Sequence, residues 1–252
     1  MKFKSASLSE IGNFRKSNQD FLAAEKNKDG DLFAIVCDGM GGHAHGEIAS
    51  KLAVQTFISN FKNSKFNNLT NSEINVWLRE TTNKTMKVML SYAEDFPDSL
   101  DMGTTLSAIL FTNKKGFVIN IGDSRTYKFV NEKLFQITKD QNLWNSTADE
   151  EKEKINKAAN YGNRFNEFTY WKVLTSALGP KKTLKIDTYL IKEPIGLYML
   201  TTDGVHDYID QESVIEILSS KAKLKSKCTK IVEYAKGDLS TDNLSILLVE
   251  VK

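Results

Sequence analysis

Isolated aspartates next to apolar runs are the residues of this sequence best suited to chemistry. Asp38-Gly39 directly follows the apolar run 32–37, and Asp203-Gly204 directly follows the run 197–202. Each run predicts a buried central strand, and a lone carboxylate at its end is costly unless it is paired or binds a metal. Asp-Gly is also common in turns, and that reading stays open for either aspartate alone. Two such aspartates without a nearby arginine favour a metal site.

Three further aspartates lie beside predicted strands. Asp242, in Thr241-Asp242-Asn243, immediately precedes the apolar strand 244–249, and Asp20 precedes the strand that starts at Phe21. Asp123 lies in Gly122-Asp123-Ser124-Arg125, a segment between two strand runs that suits a tight turn equally well. Carboxylate oxygens without a cysteine or histidine ligand set are typical of hard cations. The sequence therefore favours Mg²⁺ or Mn²⁺ over Zn²⁺.

The arginine and histidines near these aspartates leave two readings open. Arg15, shortly before Asp20, is interpreted either as a surface charge or as a fork that binds phosphate. His43-Ala44-His45 with the distant His206 gives only a weak zinc pattern, because zinc sites use three or four ligands at recognisable spacing.

The glycine-rich segment Gly39-Met40-Gly41-Gly42-His43-Ala44 offers a competing interpretation. It matches the dinucleotide-binding pattern G-x-G-x-x-G/A, follows a predicted strand and precedes a predicted helix. Asp38 would repel a pyrophosphate there, and no acidic residue ends a strand about 20 residues further on, where the ribose contact is expected. The glycines more simply let the backbone approach a metal, with the Gly39 carbonyl as a further oxygen ligand.

Size and composition favour one globular domain inside the cell. Of the 252 residues, 40% are hydrophobic and 26% are charged, which is enough for one sizeable core. The net charge of +2 gives no reason to expect a nucleic-acid surface, and the lysines between Lys221 and Lys230 are interpreted as a solvated helix face. Cys37 and Cys228 lack metal-type spacing, and no stretch approaches the ~20 apolar residues of a membrane span. We expect a soluble cytoplasmic protein that does not engage a membrane.

The spacing of apolar residues predicts long strand meanders interrupted by helix pairs. Thr70 and Glu73 form a capping box at the start of one helix. The predicted helices are 47–61, 72–92, 211–219 and 226–234. The predicted strands are 21–25, 32–37, 104–111, 117–121, 126–130, 134–137, 173–177, 186–191, 197–201 and 244–251. This order indicates an α+β fold with mainly antiparallel sheets.

Seven segments, taken in order, resemble the metal-dependent protein phosphatases of type 2C in their compact bacterial form. They are Arg15–Asp20, Phe33–Gly46 (FAIVCDGMGGHAHG), Gly103-Thr104-Thr105, Gly122–Arg125, Leu174–Gly179 (LTSALG), Met199–Gly204 (MLTTDG) and Thr241-Asp242-Asn243. Each motif alone is weak, whereas seven in this order, over nearly the whole chain, are specific. The resemblance implies one catalytic domain over residues 1–252, folded as a sandwich of two mainly antiparallel β-sheets flanked by pairs of α-helices.

The resemblance also implies a metal centre. Asp38 is similar to the carboxylate that bridges two metals in the family, with the Gly39 carbonyl as a backbone ligand to one of them. Asp203 and Asp242 are similar to the ligands of the other. Two or three Mn²⁺ or Mg²⁺ ions are therefore the expected cofactors.

Three more residues and one segment acquire expected roles from the same resemblance. Asp20 is similar to a residue that acts at the first metal centre, partly through water. Asp123 together with Asp203 is similar to a third, weaker metal site of bacterial members. Arg15 is similar to the phosphate-binding arginine, and the variable stretch 140–172 falls where the family has a flap beside the substrate groove.

This chain departs from the family pattern at two places. Asp140-Gln141-Asn142 stands where many members have Asp-His-Ser, and His206 stands where Leu or Ser is common. Neither change removes a carboxylate ligand, so we expect both to bear on substrate preference. His43 belongs to the bacterial Gly-Gly-His pattern, but the general acid proposed in animal relatives corresponds to Met40, so His43 receives no proton-transfer role.

The implied reaction is hydrolysis of phosphoserine or phosphothreonine in proteins by a metal-activated water, without a covalent intermediate. The implied partners are phosphorylated proteins and a cognate Ser/Thr kinase, and a monomer is expected. The alternatives are a catalytically inactive, phosphoprotein-binding relative and a nucleotide-binding oxidoreductase. The complete carboxylate set argues against the first, and the absence of a ribose-binding acid argues against the second.

Overall fold

Alternating apolar residues build two stacked sheets in the computed structural model. The structure describes residues 1–40, 45–159 and 170–252, and it describes their side chains except at residues 156–159. The strands are β1 (Phe3–Glu10), β2 (Asp20–Lys26), β3 (Leu32–Met40), β4 (Gly103–Thr104), β5 (Leu106–Thr112), β6 (Lys115–Ile121), β7 (Arg125–Val130), β8 (Lys133–Gln136), β9 (Asp187–Ile191), β10 (Gly196–Thr201) and β11 (Leu244–Val251). The helices are α1 (His45–Lys62), α2 (Asn71–Asp95), α3 (Leu143–Ser146), α4 (Asp149–Ala159), α5 (Asp203–His206), α6 (Gln211–Ser219) and α7 (Leu224–Gly237), with a 3₁₀ helix at Pro97–Asp101.

Every strand pairing in the described residues is antiparallel. One sheet has the order β1-β11-β10-β7-β8, and the other has the order β2-β3-β5-β6-β9 with β4 added to β3. The predicted α+β sandwich is confirmed. The antiparallel pairing of β3 with both β2 and β5 is incompatible with a dinucleotide-binding fold, which requires parallel strands.

Strand β3 is buried on both faces, which explains its unbroken apolar run. Phe33, Ile35 and Cys37 belong to a core cluster with residues of α1 and α2. The alternate residues Leu32, Ala34 and Val36 belong to the cluster between the two sheets, together with residues of β10 and β11. A third cluster packs α6 and α7 against the outer face of the first sheet. The result is a helix–sheet–sheet–helix arrangement.

The predicted helices are present, and the capping box is confirmed. Thr70 accepts a hydrogen bond from the Glu73 N–H, and the Glu73 carboxylate accepts one from the Thr70 N–H. No helix in the described part of the chain is both long enough and apolar enough to cross a bilayer.

Three strand predictions differ from the structure. The predicted strand 104–111 is divided at Thr105, between β4 and β5. The predicted strand 173–177 is wrong, because its backbone bonds to loops: the Thr175 N–H donates to the Gln141 carbonyl and the Ala177 N–H donates to the Thr183 carbonyl. Strand β1 was not predicted. Its few apolar side chains are split between the inter-sheet cluster and the cluster under α6 and α7.

Candidate active site

Strand ends deliver acidic side chains to one end of the sandwich. Asp20 opens β2 and lies directly opposite Asp38, near the end of β3, in the antiparallel register. Asp203 follows β10, and Asp242 precedes its neighbour β11, so these two also lie at adjoining strand ends. Asp123 occupies the turn between β6 and β7. An antiparallel pair places the end of one strand beside the start of the other, and this brings the distant aspartates together.

A cleft of about 940 Å³ opens at this end. One wall carries the predicted site residues Arg15, Asp38, Gly39, Asp123, Asp203 and Asp242. The other wall is formed by residues 172–177 and 181–183, which include three lysines. Asp20 does not line the cleft, and its side chain is almost fully buried.

Two threonines fix the backbone at Asp38. The Asp38 N–H donates to Thr105 Oγ1 at 2.9 Å. The Asp38 carbonyl accepts from Thr104 Oγ1 at 2.8 Å and from the Thr105 N–H at 2.9 Å. Sequence analysis quoted Gly103-Thr104-Thr105 as a motif but assigned it no role. The structure shows that this motif holds the central aspartate in place.

Gly39 occupies a space that only glycine fits. Its N–H donates to the Gln19 carbonyl at 3.1 Å. A Cβ at Gly39 would lie 2.0 Å from the Gly46 carbonyl oxygen and 2.6 Å from the Gln19 carbonyl oxygen. A side chain would therefore separate the end of β3 from the start of α1. Both the Asp38 side chain and the Gly39 carbonyl depend on this close backbone approach for their positions.

Burial and mutual repulsion raise the pKa values of the clustered aspartates. Desolvation raises the pKa of Asp38 well above its ordinary value, and the charges of Asp20, Asp203, Asp123 and Asp242 add to the effect. Desolvation also raises the pKa of Asp123, with a further contribution from Asp203. The pKa of Asp203 is raised by desolvation and by Asp242, although a hydrogen bond with Asp38 opposes this. A divalent cation would relieve this repulsion and favour the charged carboxylates.

Asp20 lies beneath the cleft with one carboxylate oxygen engaged. Its Oδ2 accepts a hydrogen bond from Thr202 Oγ1 at 2.8 Å. Desolvation raises its pKa to about 7, although hydrogen bonds from Ser245 and Thr202 act in the opposite direction. The Oδ1 atoms of Asp20 and Asp203 are buried without a hydrogen-bond partner among the described residues. Orphaned carboxylate oxygens of this kind suit a hard cation.

Arg15 pairs with one of the predicted ligands. Its guanidinium donates to Asp242 Oδ2 at 2.5 Å, and the two side chains are 50% and 28% exposed. Burial lowers the pKa of Arg15, but the hydrogen bond and charge of Asp242, together with the charges of Asp38 and Asp203, outweigh it and raise the pKa overall. Among the described residues, no three acidic, histidine or cysteine side chains are arranged closely enough to form a ligand set for a metal ion. The donor chemistry, carboxylates without thiols, nevertheless fits Mn²⁺ or Mg²⁺.

Asn243 ties the loop that carries Arg15 to the start of β11. Its Nδ2 donates to the carbonyls of Ile11 and Ser17, each at 2.9 Å. Its Oδ1 accepts from the Gln19 N–H at 2.8 Å. Sequence analysis quoted Asn243 only as part of a motif. Its anchoring role depends on contacts across the whole chain, which no local signal reports.

The segment Asp140-Gln141-Asn142 supports the turn that holds Asp123. Arg125 binds Asp140 with two parallel bonds, Nε to Oδ1 at 2.9 Å and Nη2 to Oδ2 at 2.6 Å. Gln141 makes two hydrogen bonds with Gly122. Its side-chain Oε1 accepts from the Gly122 N–H at 2.8 Å, and its backbone N–H donates to the Gly122 carbonyl at 3.0 Å. Asp140 and Gln141, in the segment where this chain departs from the family pattern, therefore make structural contacts that support the turn around Asp123.

The histidines and the flap segment are only partly described. His206 is buried, bonds through Nδ1 to Thr201 Oγ1 at 3.0 Å, and has its pKa lowered well below the ordinary value by desolvation and by Arg125. Its surroundings are those of a neutral structural side chain. His43 lies outside the described residues.

Of the predicted flap, helices α3 and α4 and residues 170–172 are described, and residues 160–169 lie outside.

Comparison with known proteins agrees with this geometry. The family described as Protein phosphatase 2C matches residues 15–245. The serine/threonine phosphatase stp of Listeria monocytogenes is 32% identical over 240 residues, which cover 95% of this chain and 92% of the relative. The structure of the Mycobacterium tuberculosis serine/threonine phosphatase PstP/Ppp matches with a TM-score of 0.82 and 25% identity, covering 99% of both chains. The catalytic domain of PstP in complex with two manganese ions matches with a TM-score of 0.80 and 25% identity, covering 98% of this chain and 97% of that one.

A two-sheet antiparallel sandwich with an aspartate-lined cleft at one end defines the class of metal-dependent protein-serine/threonine phosphatases. The chain belongs to the protein phosphatase 2C family. The resemblance inferred from the seven sequence motifs is therefore confirmed.

Proposed function

We propose that this chain hydrolyses phosphoserine and phosphothreonine in proteins, with Mn²⁺ or Mg²⁺ as cofactor and without a covalent phospho-enzyme. One observation carries the proposal: Asp38, Asp123, Asp203 and Asp242 line a single cleft beside Arg15. The orphaned Oδ1 atom of Asp203 and the raised pKa values of the cluster support it, because they mark carboxylates arranged for cations.

The proposed metal site uses oxygen atoms from five parts of the chain. Its proposed ligands are Asp38, Gly39, Asp203, Asp242, Asp20 and Asp123. Bound divalent cations supply Lewis acidity to the phosphoryl oxygens and lower the pKa of water towards ~7. The backbone bonds to Thr104 and Thr105 hold Asp38 in a fixed position for this task, so little reorganisation is needed at the moment of reaction.

Arg15 is proposed to bind the substrate phosphate. Its ion pair with Asp242 is half exposed, and exposed pairs of this kind are worth only ~0–1 kcal/mol. The guanidinium can therefore leave Asp242 for a phosphoryl group, to which it offers two parallel N–H donors. That exchange also frees the Asp242 carboxylate for a cation.

We further propose one catalytic domain over residues 1–252, with residues from about 140 to 172 as a flap. The segment that directly follows, 173–177, lines the cleft and supports this assignment. Phosphorylated proteins are the substrates. A cognate Ser/Thr kinase, a monomeric state, a cytoplasmic location and no engagement of nucleic acid or membrane complete the proposal.

Hydrolysis of a phosphothreonine peptide tests the function. Wild-type protein should release phosphate with Mn²⁺ and stop in EDTA, because the carboxylate cluster cannot activate water without cations. Asp38→Asn should reduce the rate by roughly three orders of magnitude or more. Asp29→Asn, the same change in the exposed turn before β3, should leave the rate unchanged.

Two outcomes would count against the proposal. Equal turnover in EDTA and in Mn²⁺ would remove the metal from the reaction. Tight binding of the phosphopeptide without any phosphate release would favour the inactive, phosphoprotein-binding alternative.

A further inference from the structure

A lysine-lined groove lies at the opposite end of the β1–β11–β10 sheet from the candidate active site. Its volume is about 720 Å³. Its walls come from the start of β1, the connection between α6 and α7, the first turn of α7 and the end of β11. In the part of the chain that the structure describes, the charged residues that line it are six lysines and one acidic residue: Lys4, Lys221, Lys223, Lys225, Lys227, Lys252 and Glu250.

Strand register fixes the distance between this lysine groove and the cleft. Lys4 pairs with Glu250 at one end of the β1–β11 ladder, and Glu10 pairs with Leu244 at the other. Asp242 lies just beyond Leu244. Strands of this length span roughly 25 Å, so the lysine groove is separate from the candidate active site.

The structure corrects the interpretation of these lysines as one solvated helix face. Lys221 and Lys223 precede α7, which begins at Leu224, and they lie in the connection before it. Lys227 is buried and donates from Nζ to the Leu218 carbonyl. The lysines that line the groove therefore come from four parts of the chain, namely β1, the connection before α7, α7 itself and the residue after β11, and they converge on one concavity.

Most of the positive charge in the lysine groove has no counter-ion. Lys252 pairs with Glu250 at 3.0 Å. Lys225 donates to the Ser7 carbonyl at 2.9 Å, which orients its ammonium without neutralising it. Among the described residues, Lys4, Lys221 and Lys223 form no ion pair, and all three are exposed.

We propose that the lysine groove binds an acidic segment of a partner protein. Several separated ammonium groups match several carboxylates spaced along a chain. Leu197 and Leu224 in the lining offer contacts for apolar residues between those carboxylates. Among the described residues, the lining contains no arginine, the side chain preferred for bidentate phosphate recognition. A concave groove accommodates a polypeptide segment better than it accommodates a flat bilayer.

Binding at the lysine groove is independent of hydrolysis. A partner held there would keep its other segments at high effective concentration near the cleft, provided that its chain spans the distance. The charge complementarity would also speed association and make it sensitive to salt.

Fluorescence anisotropy with a labelled peptide of alternating glutamate and leucine tests this proposal. The full chain is titrated in EDTA, so that metal chelation by the peptide plays no part. Lys221→Glu/Lys223→Glu should weaken binding by at least about tenfold, because two attractions become repulsions. Lys84→Glu/Lys87→Glu, the same change at exposed positions of α2, should alter it by less than about twofold. Lys4→Glu, from a different wall, should also weaken binding.

Several results would overturn the proposal. These are no binding by the wild-type chain, equal weakening by the groove and α2 variants, or tighter binding to phosphatidylserine vesicles or single-stranded DNA than to the peptide. Phosphopeptide hydrolysis by the groove variants should equal that of the wild type. A loss of hydrolysis in those variants would show that the substitutions disturb the fold or the cleft, and that the lysine groove is not a separate site.

Discussion

The two ends of this sandwich carry opposite charges and are built in different ways. At the cleft, aspartates stand at strand ends, where they are part-buried or buried and where hydrogen bonds fix the backbone beside them. At the lysine groove, the charges sit on flexible side chains of a connection, a helix start and strand ends, and most of them are exposed.

The two ends of the sandwich therefore have different effects on the stability of the folded state. Buried like charges destabilise the folded state unless a counter-ion is bound. Without cations, the acidic end therefore lowers the free energy of unfolding, and hydrogen bonds with Thr104 and Thr105 hold the backbone of its central aspartate in place. Exposed lysines keep their hydration, so they neither raise nor lower the free energy of unfolding by much. Substitutions at the acidic end should accordingly have large effects on the fold, and substitutions at the basic end should mainly affect binding.

The largest stability effect is expected for Gly39→Ala. The added methyl group would lie 2.0 Å from the Gly46 carbonyl oxygen, so β3 and α1 must separate. We expect a loss of about 3 kcal/mol in the free energy of unfolding, measured by urea titration. Gly237→Ala, at the end of α7 with nothing within 4 Å of the new Cβ, should change it by less than about 1 kcal/mol. Similar losses for both variants would show that the acidic end is not tightly built.

A smaller effect is expected for Asn243→Ala. The variant removes hydrogen bonds to Ile11, Ser17 and Gln19 and loosens the loop that carries Arg15. We expect a loss of about 2 kcal/mol in unfolding free energy and a higher KM for a phosphopeptide. The control Asn63→Ala removes one exposed local bond and should be nearly neutral. An unchanged KM would separate the Arg15 loop from substrate binding.

A further effect is a pH dependence of the metal-free protein. The folded state holds the Asp20 pKa at about 7, whereas an unfolded aspartate titrates near ~3.9. Between these values the folded state binds more protons than the unfolded state, so stability must fall as pH rises. We expect urea midpoints in EDTA to fall between about pH 5 and pH 7. Asp38 and Asp203 act in the same direction.

Two comparisons isolate this pH effect. Asp20→Asn should make the fall shallower, because the substituted side chain does not titrate. Mn²⁺ should also reduce it by stabilising the charged carboxylates. Urea midpoints that rise with pH in EDTA would mean that burial does not raise the pKa values of these aspartates.

The α+β class and the acidic cluster followed from local sequence signals, because strong apolar runs fix the strands and aspartates mark their ends. The two-sheet sandwich was inferred from the resemblance to the phosphatase family. Strand β1 escaped prediction because Phe3 packs between the sheets while Ala6 and Leu8 pack under the helices, which leaves no single apolar face long enough to recognise. The segment 173–177 is apolar enough for a strand, but its backbone bonds to loops at the cleft.

The features missed by sequence analysis depend on contacts between distant residues. Asn243 can be recognised in the sequence as part of a motif. Its anchoring role becomes apparent only when the structure places the carbonyls of Ile11 and Ser17 beside it. The lysine groove arises because the β1–β11 register brings both chain ends beside the connection to α7. Sequence spacing alone predicted that its lysines share one solvated helix face. That prediction is confirmed for the exposed Lys225 on α7. It is wrong for Lys221 and Lys223, which precede the helix, and for Lys227, which is buried.

Crystals of this chain grown with MnCl₂ and measured at the manganese absorption edge would show whether the aspartates at the cleft hold cations together. The account predicts two strong anomalous peaks in contact with the carboxylates of Asp38, Asp203 and Asp242, with Arg15 released from Asp242. Peaks located elsewhere on the surface, or no peaks while those carboxylates keep their present partners, would contradict it.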